Sequence, residues 1–123
     1  MATLTLAGNT LEFSDCREVG QGGPETCTLS INEVPVTRTL LWRSARSQRF
    51  HPTPLEYEGD VLVPLWEATY FYLVRIDPQT LKHRRLSPGF KFMRLLRVQD
   101  DEVEFSTWHD NRETRRVRLT RRL

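Results

Sequence analysis

Alternating apolar and polar residues predict β-strands along most of this chain. The most strand-like run is 68–76, Ala-Thr-Tyr-Phe-Tyr-Leu-Val-Arg-Ile. Its even-numbered positions are aromatic or aliphatic from Tyr70 to Ile76, and its odd-numbered positions are apolar from Phe71 until Arg75. A strand that is apolar on both faces belongs in the middle of a sheet or between two layers. We therefore predict that 68–76 is the central strand of the fold.

Short turn sequences between the alternating segments predict antiparallel hairpins. Residues 3–14 contain Ala-Gly-Asn-Thr, and residues 28–37 contain a two-residue Asn-Glu loop that leaves Pro35 on the polar face of an edge strand. The expected cross-strand pairs are Leu6 with Leu11, Leu4 with Phe13, Ile31 with Val34, and Leu29 with Val36. Further turns are expected at Glu58-Gly59, at Asp77-Pro78-Gln79-Thr80 and at Ser87-Pro88-Gly89, with strands over 81–86 and 90–98.

The last three predicted strands can be registered against one another. A two-residue loop at Asp100-Asp101 and a three-residue loop at 110–112 put the apolar side chains on one face and the charges on the other. The expected pairs are Val98 with Val103, Leu96 with Phe105, Arg97 with Glu104, Phe105 with Val117, Val103 with Leu119, and Glu104 with Arg118. One face of this sheet is therefore predicted to be core and the other a charged ladder in water.

These patterns give the expected fold class. We count ten or eleven strands, no helix and no parallel crossover. A chain of 123 residues is long enough to bury roughly two-thirds of its unfolded surface in one core. The sequence predicts a single all-β domain over 1–123, an antiparallel meander of about ten strands that forms a barrel-like fold or a two-layer sandwich.

The longest stretch without strand periodicity is 43–54. It contains Arg43, Arg46 and Arg49 and no acid, and prolines at 52 and 54 forbid a helix through it. We predict a loop, and loops of this length in small domains are often functional. Most aromatic residues are expected in the core, but Trp108 lies on the polar face of its strand. The residues expected to contact a partner are Arg43, Arg46, Arg49, Phe50, His51, Trp108 and Arg112.

Charge is distributed unevenly along the chain. The formal net charge is +2, but residues 1–60 carry five Arg against eight acids, whereas residues 61–123 carry thirteen Lys and Arg against eight acids. The six arginines after residue 111 supply much of this excess. A basic skew of this kind indicates either an anionic partner or a solvated strand face.

Two cysteines, Cys16 and Cys27, bracket the Gly-rich segment 19–24. A disulfide between them is the alternative to free thiols. Residues 1–13 have neither a basic start nor an apolar core typical of a signal peptide, so reduced thiols and a cytoplasmic location are expected. In the predicted register Cys27 is a small buried hydrophobe. No apolar run is long enough to span a membrane. The cysteines and three scattered histidines lack the spacing of zinc ligands, so no metal is expected.

Catalytic signatures are missing from the sequence. There is no nucleophile motif, and the Gly-rich segment precedes a proline and a strand, so it resembles no phosphate-binding loop. His109 lies beside Asp110, and a hydrolase site around it is the third of three hypotheses. We therefore expect no enzyme and no cofactor.

The leading hypothesis is a non-catalytic protein-binding module of a bacterial cytoplasm. In its finer form it is an immunity-like or inhibitor protein that blocks a protein partner with a sheet face or with the Arg-rich loop. The alternative is a small nucleic-acid-binding β-barrel that uses the Arg-rich loop and the C-terminal basic strand.

Overall fold

The computed structural model describes residues 2–18, 25–43, 50–52, 54–108 and 112–121, and throughout these ranges it is all-β with no helix. The strands are β1 (Ala2–Leu6), β2 (Asn9–Glu18), β3 (Glu25–Ile31), β4 (Val34–Arg43), β5 (Phe50–Pro52), β6 (Leu55–Tyr57), β7 (Asp60–Glu67), β8 (Tyr70–Ile76), β9 (His83–Arg85), β10 (Arg94–Gln99), β11 (Glu102–Ser106) and β12 (Thr114–Arg118). They form three antiparallel sheets, β1 to β5, β6 to β9 and β10 to β12, each in sequence order. In these ranges the fold is sandwich-like and not a closed barrel, and the all-β meander is confirmed.

The β7–β8 hairpin contributes a different face to each of two cores. One core joins it to the first sheet and the other joins it to the third sheet. The first core contains Leu11, Phe13, Cys27, Leu29, Ile31, Val61, Val63, Leu65, Val74 and Ile76. The second contains Tyr57, Leu62, Phe71, Leu73, Met93, Leu95, Val103, Phe105 and Leu119. The central role predicted for this run is confirmed, although the strand begins at Tyr70 and not at Ala68.

In the part of the chain that the structure describes, five of the hairpin connections are two-residue turns with positive φ at both positions. They are Ala7-Gly8, Asn32-Glu33, Glu58-Gly59, Ala68-Thr69 and Asp100-Asp101. Such type I′ turns match the twist of paired strands, which is why they are favoured in short hairpins. The turns expected at Asn32-Glu33, Glu58-Gly59 and Asp100-Asp101 are confirmed. The turn at Ala68-Thr69 was missed because neither residue type favours positive φ.

The first hairpin has a register that differs from the prediction by two residues. Leu4 lies opposite Leu11 and Leu6 lies opposite Asn9. The reason is the length of the turn, since Ala7 and Gly8 alone close it where four residues were expected. A shift of two residues preserves the face of every side chain, so Leu11 and Phe13 are still buried as predicted.

The β3–β4 pair follows the predicted register only near its turn. Ile31 lies opposite Val34, and Ser30 lies opposite Pro35, as expected. A β-bulge then places Thr37, and not Val36, opposite Leu29. Pro35 tolerates its missing N–H because β5 pairs only with 41–43, so β4 has no β5 neighbour at that point.

The register of the third sheet differs in part from the prediction, and at a bulge in β10 the predicted face is also wrong, since Leu95 and not Leu96 joins the core. Val98 with Val103 and Arg97 with Glu104 are confirmed, whereas a bulge places Leu95, not Leu96, opposite Phe105. Strand β12 is shifted by two residues relative to the prediction, so the observed pairs are Val103 with Val117, Glu104 with Arg116, and Glu102 with Arg118. The connection between β11 and β12 spans 107–113. It is therefore centred one residue earlier than the predicted loop over 110–112, which moves each partner on β12 by two residues.

Cys16 and Cys27 form a disulfide, and the prediction of reduced thiols is therefore wrong. A bulge in β2 at Asp15, where φ is 50°, lies between the pairs that flank Cys27. The bulge brings Cys16 beside Cys27, with 4.1 Å between their Cα atoms. The predicted burial of Cys27 is confirmed. The Gly-rich segment 19–24 lies outside the described residues.

The predicted loop over 43–54 is wrong at both of its ends. Arg43 is the last residue of β4, and β5 pairs back on 41–43. The reason is the β4–β5 hairpin, whose backbone pairing continues where the sequence loses its alternation. The connecting residues 44–49 and residue 53 lie outside the described part of the chain.

The turn at 77–80 is confirmed, and the strand after it is shorter than predicted. Gln79 N donates to Asp77 Oδ1 at 2.8 Å, the side-chain bond expected of an aspartate at this place. Strand β9 covers only His83–Arg85. Phe90 does not begin the next strand but pairs with Phe71 of β8, through N···O distances of 2.7 and 2.9 Å.

Candidate functional site

Trp108 and Arg112 lie together on the connection between β11 and β12. The Arg112 guanidinium carbon stands 4.7 Å from the centroid of the Trp108 ring, a cation–π arrangement. Trp108 is 40% exposed, although a large aromatic side chain loses favourable burial by remaining in water. The sequence placed Trp108 on the polar face of its strand without deciding whether it is exposed. The structure brings Trp108 and Arg112, two of the expected contact residues, together.

Hydrogen bonds hold this connection in shape. Thr107 N donates to the carbonyl of Glu113 at 2.9 Å, so the chain remains paired beyond the end of β11. Trp108 N donates to Ser106 Oγ at 3.2 Å. The Ser106 hydroxyl in turn donates to the carbonyl of Trp108. Because Ser106 is fully buried, these bonds anchor the exposed Trp108 to the core.

A second arginine and aromatic pair involves Arg115 of β12, three residues beyond Arg112 in the sequence. The Arg115 guanidinium carbon lies 5.6 Å from the centroid of the Phe90 ring. Phe90 packs edge-on against the buried Phe105, with 5.8 Å between ring centroids. Arg115 is also the Cα partner of Phe105 in the β11–β12 ladder. We call the set formed by Trp108, Arg112, Arg115 and Phe90 the Trp108 surface.

The other predicted contact residues fall at the β4–β5 hairpin or outside the described residues. Arg43 pairs with Phe50, and His51 pairs with Trp42, through their backbones. Arg46 and Arg49 lie outside the described residues, and so does His109. Phe90 and Arg115 were not among the predicted contact residues, because only the tertiary pairing of Phe90 with β8 brings Phe90 to the third sheet.

The polar face of the third sheet is a charged ladder. Glu104 accepts from Arg97 Nε at 3.2 Å and from Arg116 Nε at 3.4 Å. The register shift described above replaces the predicted Arg118 with Arg116. A shallow cleft of about 190 Å³ lies over this ladder, lined by Arg97, Gln99, Asp100, Glu102, Glu104 and Arg116. Its charges are already paired across the strands, so the ladder is explained by sheet stability.

Tyr57, Asp101 and Arg121 form a small network at the turn between β10 and β11. The Tyr57 hydroxyl donates to Asp101 Oδ1 at 3.0 Å, and Arg121 Nε contacts both oxygens of Asp101 at 3.2 Å. The bond from Tyr57, assisted by Arg121, lowers the pKa of Asp101 below its ordinary value of 3.8. Burial of the phenol and its bond to Asp101 raise the pKa of Tyr57 above 10.0. The bond to Asp101 also raises the pKa of Arg121.

Converging metal ligands are not found in the ranges that the structure describes, where no three His, Cys, Asp or Glu side chains come together. The same ranges contain no helix with the length and apolar character needed to span a membrane. Comparisons with protein-family models, with curated proteins and with solved structures found no match to this chain.

Proposed function

We propose that this chain is a non-catalytic protein-binding module that binds an acidic surface of its partner through the Trp108 surface. The observation that carries the proposal is the exposed Trp108 with Arg112 stacked on its ring. Tryptophan and arginine are the residue types most enriched among the side chains that dominate binding energy at protein interfaces. Arg115 beside Phe90 adds a further cation of the same kind.

The partner is expected to supply carboxylates around a pocket for an aromatic ring. Arg112 and Arg115 are both exposed and both held over rings, so their guanidinium groups lose little freedom when a carboxylate binds. This preorganisation reduces the entropic cost of association. The finer form of the proposal is an immunity-like or inhibitor protein, in which this contact blocks the partner's own activity.

A protein partner is preferred to a nucleic acid because of how the rings and charges are arranged. Single-strand binders offer aromatic faces on which bases stack, whereas an arginine already covers one face of Trp108 and of Phe90. Acidic residues also interleave with the basic ones, since Glu104 lies between Arg97 and Arg116. Nucleic-acid binding remains the alternative.

The cytoplasmic location expected from the sequence is also a proposal, and the disulfide weighs against it. Disulfides persist in oxidising compartments and are rare where thiols are kept reduced. The Cys16–Cys27 bond therefore favours a partner that is met in an oxidising compartment.

The test is capture of a partner from an extract of the source cells, followed by measurement of its affinity for purified variants. Trp108→Ala should weaken binding by about thirtyfold, the effect of losing an interface residue worth about 2 kcal/mol. Val34→Ala removes another exposed apolar side chain, on the β3–β4 turn, and should leave the affinity unchanged. Arg112→Gln should weaken binding, whereas Arg17→Gln changes the net charge equally at an exposed site on β2 and should not.

Two outcomes would contradict the proposal. If the partner binds Trp108→Ala as tightly as the wild type, the Trp108 surface is not part of the interface. The nucleic-acid alternative would be favoured by two results together. The captured material would be lost after nuclease treatment, and the purified protein would bind DNA or RNA with sub-micromolar affinity at about 0.15 M salt.

A further inference from the structure

Two arginines stand directly opposite each other where β8 pairs with β9. The Cα partners are Arg75 and Arg84, and Val74 with Arg85 and Ile76 with His83 flank them. Side chains directly opposite in an antiparallel pair lie on the same face, and like charges in that position destabilise the sheet. Lys82 lies two residues from Arg84 and belongs to the same face. The edge of this sheet thus concentrates positive charge that its own strands do not require.

Only one of the two opposed arginines is neutralised by the fold. Arg75 donates through Nε to Asp60 and through Nη1 to the carbonyl of Thr120 at 2.6 Å, and it lies 5.0 Å from the centroid of the Tyr57 ring. Arg84 is exposed, and so is Lys82. Neither has a carboxylate within ion-pair distance in the part of the chain that the structure describes.

These side chains border an open groove of about 360 Å³. Its lining consists of Asp60, Arg75, Asp77, Lys82, His83, Arg84, Thr120 and Arg121. Four of these residues are cationic and two are carboxylates. Arg121 also contacts Asp101, outside the lining.

We propose that this groove binds a phosphate group. Arg75 is already paired with Asp60 and Arg121 with Asp101. The two cations left in the lining are Lys82 and Arg84, and a dianion would neutralise both, whereas a carboxylate would neutralise only one. A phosphate offers several strong acceptor oxygens, and Lys82 and Arg84 offer N–H donors that no acid of the described residues uses. Arg75, held by Asp60 and Thr120, is a rigid part of the lining. This site is separate from the Trp108 surface and does not rest on the proposed protein partner.

The experiment is calorimetric titration of the intact protein with sodium phosphate, pyrophosphate and a nucleoside diphosphate at low salt. At least one probe should bind with a Kd of about 1 mM or tighter. Arg84→Gln and Lys82→Gln should each weaken that binding by about tenfold, as expected for losing one charge-assisted contact. Lys91→Gln is the matched control, because Lys91 is an exposed lysine outside the lining, and it should bind like the wild type.

The relative affinities of the probes identify the source of the phosphate. Inorganic phosphate that binds as tightly as the others indicates a free ion, whereas tighter binding of pyrophosphate or the nucleoside diphosphate indicates a phosphate chain. Either result supports the proposal if Arg84→Gln weakens the binding of that probe. The proposal is overturned if none of the probes binds at about 10 mM, if the Lys82→Gln, Arg84→Gln double variant binds like the wild type, or if succinate binds as tightly as phosphate.

Discussion

Arg75 Nε lies 2.5 Å from Asp60 Oδ2, and both side chains are more than nine-tenths buried. Arg75 is the residue that interrupts the apolar face of β8, and Asp60, the first residue of β7, lies beside it across the hairpin. The ion pair with Asp60 therefore allows Arg75 to be buried on the same face of β8 as Phe71 and Leu73, which belong to the second core. A buried charge is tolerated only when it is paired and hydrogen-bonded.

Removing either partner of this pair should destabilise the protein strongly. Asp60→Asn or Arg75→Met leaves the other charge buried without its counter-ion, which costs about 3–5 kcal/mol. The double variant should lose less than the sum of the two single variants, because no lone charge remains. Denaturant unfolding of the four proteins measures this coupling.

The exposed pair of Arg17 and Asp15, 3.6 Å apart, provides the control cycle. Asp15→Asn with Arg17→Gln should show a coupling below about 1 kcal/mol, as solvent screens the charges. Equal couplings for the two pairs would contradict the special role of Arg75 and Asp60.

Stability should depend on pH at both ends of the range through Tyr57 and Asp101. The pKa of Asp101 is lowered in the folded protein, so its contribution is present above pH 3.8 and is lost as the pH falls through the lowered value. The pKa of Tyr57 is raised, so its contribution is present below pH 10.0 and is lost as the pH rises through the raised value. NMR titration of both groups measures the two shifts.

Tyr57→Phe tests the link between these two groups while keeping the ring under Arg75. The variant removes the main cause of the Asp101 shift, so the pKa of Asp101 should rise toward 3.8 and acid unfolding should begin at higher pH. An unchanged Asp101 pKa in Tyr57→Phe would show that the neighbouring arginines, and not Tyr57, cause the shift.

The disulfide should be detected as an absence of free thiols. Protein denatured without reductant should not react with a thiol reagent, and its intact mass should be lower than that of the reduced chain by a pair of hydrogen atoms. Replacing both cysteines with alanine should cost about 3 kcal/mol, the value expected for a loop this short. Full labelling of both cysteines in the purified, unreduced protein would contradict the bond.

A substitution in the turn at Ala68-Thr69 should increase the stability of the protein. Thr69 has a φ of 68°, which is unfavourable for a β-branched residue, whereas glycine adopts this region freely. Thr69→Gly should therefore stabilise the protein by about 1 kcal/mol in denaturant unfolding. Gly59→Ala is the opposite control, because Gly59 has a φ of 82° and open space around it, so the variant should lose about 1 kcal/mol through the backbone alone. A loss of stability in Thr69→Gly would contradict this reasoning.

The sequence by itself determined most of the strands and most of the faces that they bury, although β5 lies inside the predicted loop and Leu95 takes the core position expected for Leu96. Leu11, Phe13, Val103 and Phe105 were all expected inside, and all are buried. These predictions survived two register errors because side-chain direction alternates with a period of two residues. A register wrong by two residues therefore leaves every side chain on its predicted face, as Leu4 and Val117 illustrate.

The tertiary structure decided what depends on chain segments that are distant in sequence. Local patterns do not encode bulges such as the one at Asp15, and that bulge is what brings Cys16 to Cys27. The pairing of Phe90 with Phe71 carries Phe90 toward Phe105 and under Arg115, where it joins the Trp108 surface.

The groove depends on tertiary structure in the same way. Residues 82–85, Lys-His-Arg-Arg, are a basic run in the sequence, and a run of that kind is often only a solvated strand edge. It becomes a candidate site because strand pairing sets Arg84 opposite Arg75 and because the C-terminal segment brings Thr120 and Arg121 to the same place. The basic residues in the sequence indicate that a ligand would be negatively charged. Only the folded chain gathers those residues around one groove.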